Sequence, residues 1–127
     1  MKVVIDEWLK EAKSSENAEK VGMWLIHNGV VRSTAKAEVR EGIDSNKVKA
    51  MDFSYDEAKL SEVLEHGKKL AGVYYLRAQL ASGKLNAGDD IMYVLIGADT
   101  RPHAVDALNT IVGEIKATCV KEVEIFE

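Results

Sequence analysis

"IMYVLIGADTRPHAVDALNTIVGEIKATCVKEVEIF" (Ile91–Phe126) is the stretch that decides the fold. Residues 91–98 form a continuous apolar run, the pattern of a strand buried on both faces. Asp99 or Thr100 then offers an N-cap, and Pro102 falls in the first turn of a helix, where its missing N–H does no harm. Ala104, Leu108, Ile111, Val112 and Ile115 follow at helical spacing and predict one face packed on a core, although Gly113 weakens the helix by about 1 kcal/mol relative to alanine. "VKEVEIF" (120–126) closes the unit as a second strand.

Upstream, "VYYLRAQLAS" (73–82) reads as a strand and "GKLNAGDD" (83–90) as a turn. "VKAMDFSY" (48–55) alternates as a strand does, and Ala58, Leu60, Val63, Leu64, Gly67 and Leu70 mark a helix over about 56–71. "VGMWLIHNGVV" (21–31) is a buried strand, and residues 4–13 are a short amphipathic helix. "STAKAEVREGIDSNK" (33–47) is polar and aperiodic; it reads as a mobile loop of a length that often serves function. The order α, β, loop, β, α, β, β, α, β predicts one α+β domain over 1–127, its central βαββαβ run matching the ferredoxin-like arrangement.

At 127 residues the chain buries roughly two thirds of its unfolded surface. The apolar content of 46% and charged content of 30% are those of a soluble globular protein. No uninterrupted apolar run is long enough to span a membrane, and "MKVVIDEWLKEAK" lacks a signal-peptide core, so a cytoplasmic location is the default expectation. A net charge of −4 argues against a sequence-independent grip on nucleic acid, while leaving room for a small anion held by a few converging cations. The single Cys119 excludes an intrachain disulfide, and the scattered His27, His66 and His103 do not suggest a metal site.

Several short segments stand in a familiar order: Gly29-Val30-Val31-Arg32 after a strand, Val48 to Tyr55, then Gly83, Leu85, Gly88 and Asp89, then Thr100-Arg101, and Lys116 fifteen residues after that arginine. From about residue 20 to 122 the chain resembles the large, catalytic subunit of molybdopterin synthase. The resemblance implies an α/β hammerhead fold, compatible with the βαββαβ core. It also implies a sulfurtransferase that inserts two sulfurs into cyclic pyranopterin monophosphate to form the molybdopterin dithiolene. The sulfur donor would be a ubiquitin-like small subunit with a thiocarboxylated Gly-Gly C-terminus, on a homodimer within a heterotetramer. The chain itself would bind no cofactor; its substrate is a pterin phosphate.

On the same resemblance, Arg32 and Arg101, with Thr100, hold substrate and Lys116 is the main catalytic group. The pattern also departs from the family. Thr100 replaces a histidine, Leu80-Ala81 replaces a second His-Arg pair, and "CVKEVEIFE" replaces the stretch carrying a second catalytic lysine. Gapless counting puts Val123 at that lysine, with Lys121 two residues earlier as its candidate substitute. These departures keep two alternatives open: a non-catalytic family member that binds a partner or metabolite, and an unrelated ferredoxin-like ligand-binding domain.

Physical chemistry separates the candidates. Arginine suits phosphate because its planar fork binds bidentately, and lysine suits proton transfer where burial or neighbouring cations lower its pKa. Lys116 near a helix C-terminus also has the plain reading of a cation complementing the helix dipole, whereas Arg101 at an N-terminus opposes it. A helix from 101 to 116 is about 22 Å long, so the two residues of one chain do not reach one small ligand. Two chains packed antiparallel along this helix would bring one protomer's Arg101 beside its partner's Lys116. His27 and His103 read as ordinary histidines, Cys119 as a packing residue, Lys121 as a surface strand residue, and Trp24, Tyr74, Tyr75 and Tyr93 as core or half-buried aromatics.

Overall fold

The computed structural model describes residues 1–42 and 46–127. Strand β5 (Asp90–Ala98) lies between β1 (Met23–Val30) and β3 (Val73–Leu80) in a three-stranded antiparallel sheet. A second antiparallel sheet has β2 (Val48–Tyr55) between β4 (Gly83–Asn86) and β6 (Val120–Phe126). The helices are α1 (Ile5–Lys13), α2 (Lys36–Glu41), α3 (Glu57–Gly67) and α4 (Arg101–Glu114), the last continued by a π-helical turn over Ile115–Cys119.

The α+β class is as the sequence led us to expect. The four strands of the βαββαβ run are β2, β3, β5 and β6, and they divide between the two sheets: β2 pairs with β6 and β3 with β5. The remaining edges are taken by β1, beside β5, and by β4, beside β2. The segment 83–90, expected as a turn, therefore begins as strand β4, with Leu85 opposite Met51. The expected loop 33–47 holds the six-residue α2, ended by Gly42 in the left-handed conformation at φ 68°; its part over 43–45 lies outside the described residues.

Alternation along β5 builds two packed layers. Met92, Val94, Ile96 and Ala98 join Phe53, Ile111 and Ile115 in the main core. On the opposite face, Leu95 packs with Trp8 and Ala12 of α1, flanked by Trp24, Tyr75 and Tyr93. Gly97 is required there, because a Cβ on it would stand 2.5 Å from the Trp24 ring. Tyr74 departs from its expected burial: it is 40% exposed, with the Lys20 ammonium over its ring. Cys119 is buried, as a packing residue should be.

Helix α4 covers the core face of the first sheet with Ala104, Ala107 and Ile111. Thr100 occupies its N-cap but makes no capping side-chain bond, and the Asp99 carboxylate turns instead to His103 Nδ1 at 2.6 Å. Asp56 does cap α3, accepting from the Lys59 N–H at 3.0 Å. Ile111 is fully buried where α4 meets α3, so close to Gly67 that a Cβ there would lie 2.9 Å from its Cγ1. Truncating Ile111→Ala removes that packing and leaves a cavity, which is expected to cost about 3 kcal/mol, measured by urea unfolding.

Candidate active site

Arg32 is placed by backbone chemistry. The β1–β5 register shifts between Gly29 and Val30, and such a bulge re-aims the residues beyond it. The chain is then gripped at Val31: its N–H donates to the Asp89 carbonyl at 3.0 Å, and its carbonyl accepts from the Gly88 N–H at 2.8 Å. Gly88 makes that approach at φ 92°, a conformation that suits glycine. Asp89 steadies the turn, its carboxylate accepting from the Asn86 N–H at 2.8 Å. The glycine-containing turn and the strand end that stood apart in the sequence thus form one clamp, and Arg32 follows directly from it.

Lys116 sits in the π-helical turn that follows α4, where Thr118 Oγ1 donates back to the Glu114 carbonyl at 2.7 Å. Such turns are rare and change the direction in which side chains leave a helix. Arg32 and Lys116 line one cavity of about 130 Å³, together with His27, Gly29, Met92, Lys36, Arg40, Glu122 and Glu124. Its four lysines and arginines outnumber its two carboxylates, a formal excess of two positive charges.

The short α2 is fastened to β6 at two points. Lys36 Nζ forms an ion pair with Glu122, whose side chain is only 10% exposed, and the Lys36 N–H donates to Glu124 at 3.1 Å. A pair this sheltered is screened less than a surface pair. Lys36 is thereby engaged, whereas Arg32, Arg40 and Lys116 form no ion pair among the described residues. Burial, and next the charge of Lys116, push the His27 imidazole below its ordinary pKa, so the ring is held neutral beside a lysine.

The other sequence-derived candidates lie elsewhere. Thr100 and Arg101 are exposed at the far end of α4, about 22 Å along the helix from Lys116. Lys121 pairs with Ser54 across the sheet and faces away from the cavity, lining a shallow hollow with Asp52, Lys84 and Val123. Val123, the counted position of the family's second lysine, lies on that same outer face at 48% exposure. In the sequence His27 reads as an ordinary histidine, and Lys36, Arg40, Glu122 and Glu124 are not singled out. The period of two along β1, which puts His27 and Gly29 on one face, was the available signal for the first of these. Among the described residues no three His, Cys, Asp or Glu side chains gather as metal ligands do, and no helix is long and apolar enough to cross a membrane.

The family model described as "MoaE protein" matches residues 3–118. Among solved structures, a molybdopterin synthase from Staphylococcus aureus has a TM-score of 0.70 at 19% identity, over 86% of this chain and 77% of that one. A complex of subunits 1 and 2 of the molybdopterin-converting factor from Helicobacter pylori has a TM-score of 0.66 at 18% identity, over 98% and 80%. A molybdopterin biosynthesis MoaE protein from Burkholderia ambifaria has a TM-score of 0.70 at 15% identity, over 100% and 86%. No curated protein matches significantly.

The His27 environment has a measurable signature. Its pKa, read by NMR titration of the ring protons, is expected below 6.5. In Lys116→Met it should rise while remaining below 6.5, because burial persists. The unfolded chain binds this proton at a higher pH than the folded one, so this contribution to stability is whole above about pH 6.5 and falls as pH drops toward the folded value. Acid unfolding of Lys116→Met should show a smaller loss in that window; an unchanged His27 titration would show that Lys116 does not act on the ring.

Proposed function

The chain belongs to the MoaE family of molybdenum cofactor biosynthesis, and from that premise we propose that it is the catalytic large subunit of a molybdopterin synthase. In this reading it is a cytoplasmic sulfurtransferase. It takes sulfur from the thiocarboxylated Gly-Gly tail of a ubiquitin-like small subunit and delivers it to cyclic pyranopterin monophosphate, forming the dithiolene. The observation that carries the reading is the convergence of Arg32 and Lys116 on one positively charged cavity. Arg32 binds the substrate phosphate, and Lys116 is the main catalytic group. The positive field also stabilises the anion that develops as sulfur attacks. A cavity of about 130 Å³ is smaller than the roughly 300 Å³ or more that encloses a whole metabolite. It fits a phosphate-sized part of the ligand, with the remaining walls supplied by other chains.

Those chains are a second copy of this protein and the small subunit. Thr100 and Arg101 of one protomer, remote from their own Lys116, join the partner's Lys116 when two α4 helices pack antiparallel. A small-subunit partner is supported by the Helicobacter pylori structure, which is a complex of subunits 1 and 2. One observation favours a second reading, a non-catalytic family member that keeps its partner: β6 turns Lys121 outward and presents Glu122 and Glu124 to the cavity instead.

Two assays separate these readings. With thiocarboxylated small subunit and cyclic pyranopterin monophosphate, the wild type should form molybdopterin and Lys116→Ala should lose activity, while Arg32→Ala mainly raises KM for the pterin. A stable complex without product would instead favour the non-catalytic reading. A site shared across the two-fold also allows complementation. Inactive Arg101→Ala and Lys116→Ala proteins, mixed so that protomers exchange, should recover activity in about a quarter of sites, because each mixed dimer holds one intact site. Failure to complement, or a monomer in solution, would remove the shared site.

A further inference from the structure

We propose that His27 is the base of this site and Lys116 its acid, two proton-transfer groups lining the cavity that takes the pterin. The inference rests on the sulfur-transfer reading and adds a residue to it. β1 sets His27 on the same face as Gly29, and a Cβ at Gly29 would lie 3.8 Å from His27 Nε2 and 3.4 Å from Met92 Cγ. Glycine at that position puts no side chain against this ring nitrogen, and both residues line the cavity. The imidazole makes no hydrogen bond among the described residues, whereas His66 and His103 are each held by a carboxylate. The outward Lys121 leaves Lys116 as the only lysine of the cavity not engaged in an ion pair among the described residues.

The charges around the ring favour this division of roles. Lys116, Arg32 and Arg40 present positive charge, and the Glu122 and Glu124 carboxylates are both engaged by Lys36. Burial and the Lys116 charge keep His27 unprotonated and able to accept, while an ammonium can only donate. A neutral acceptor beside an ammonium donor is the working arrangement of an acid–base site. A substrate X–H gives its proton to the imidazole, which becomes imidazolium. The Lys116 ammonium gives one to a substrate oxygen gaining negative charge and becomes a neutral amine. The pair carries one positive charge before and after, and solvent returns the proton from imidazolium to amine.

His27→Gln keeps a polar side chain of similar reach without a titrating nitrogen. In the molybdopterin assay it is expected to lower kcat by about 100-fold or more, with little change in KM for the pterin. The acidic limb of the wild-type kcat profile should disappear with it. In His27→Ala, added imidazole should restore part of kcat, which a merely structural role would not allow. A variant as fast as wild type with the same acidic limb would overturn the role of His27 and leave the sulfur-transfer reading standing. A slow variant with altered near-UV circular dichroism and no imidazole rescue would also overturn it. No product from the wild type, with a small subunit shown to be thiocarboxylated, would overturn both.

Discussion

Burial of β5 on both faces is the constraint from which the rest of this structure follows. Val94 and Ile96 on one side and Leu95 on the other are essentially inaccessible to water. A strand with two apolar faces must be covered twice, so α4 and α1 take opposite sides of the sheet. Each cover also serves as a support. On one side Trp8 lies under the Arg77 guanidinium, 4.2 Å from its ring, while Arg77 also reaches Glu11 at 2.7 Å. On the other, α4 runs far enough across the sheet that its final turn arrives at the end of β1. Arg32 and Lys116 meet because one strand and one helix are both fixed to β5.

Much of this order is legible in the sequence because apolar periodicity is strong where burial is strong. The run 91–98, the helical stripe through Ile111 and the alternation of 48–55 all carry it. β4 was not legible, since "GKLN" holds one large apolar residue, and its pairing with β2 comes from reach across the molecule. α2 was hidden for a related reason. "KAEVRE" has no apolar stripe to dock, and its attachment is ionic, through two glutamates more than 80 residues away. The division of the βαββαβ strands between two sheets also escapes a one-dimensional reading, because it depends on which edges β1 and β4 cover.

The site divides along the same line. Arg32 and Lys116 are picked out in the sequence by a family resemblance, the structure brings both to one cavity, and the clamp at Val31 gives a physical reason for the position of the first. His27 reads as a lone histidine in the sequence, because nothing there says that the end of a helix 89 residues later will face it. Arg101 opens α4, where a cation opposes the helix dipole, and the structure gives it no ion pair among the described residues. Glu122 and Glu124 looked like the polar half of an edge strand. Their true facing is set by the register of β6 on β2, with Glu122 opposite Phe53 and Glu124 opposite Met51.

That register explains why the outward direction of Lys121 is not a small local choice. Side chains alternate with a period of two, so a slip by one residue would turn Lys121 and Val123 inward together and send both glutamates out. The slip would strand Lys36 without its partner and release the start of α2. Arg40, one turn beyond Lys36 on the same face of α2, would lose its place beside the cavity as well. A second inward lysine on β6 and an anchored α2 are therefore mutually exclusive in this chain. The glutamates that displace the lysine also hold an arginine in range of the cavity. Positive charge is thus kept beside the cavity while Lys121 faces away from it, and His27 lines the cavity from β1.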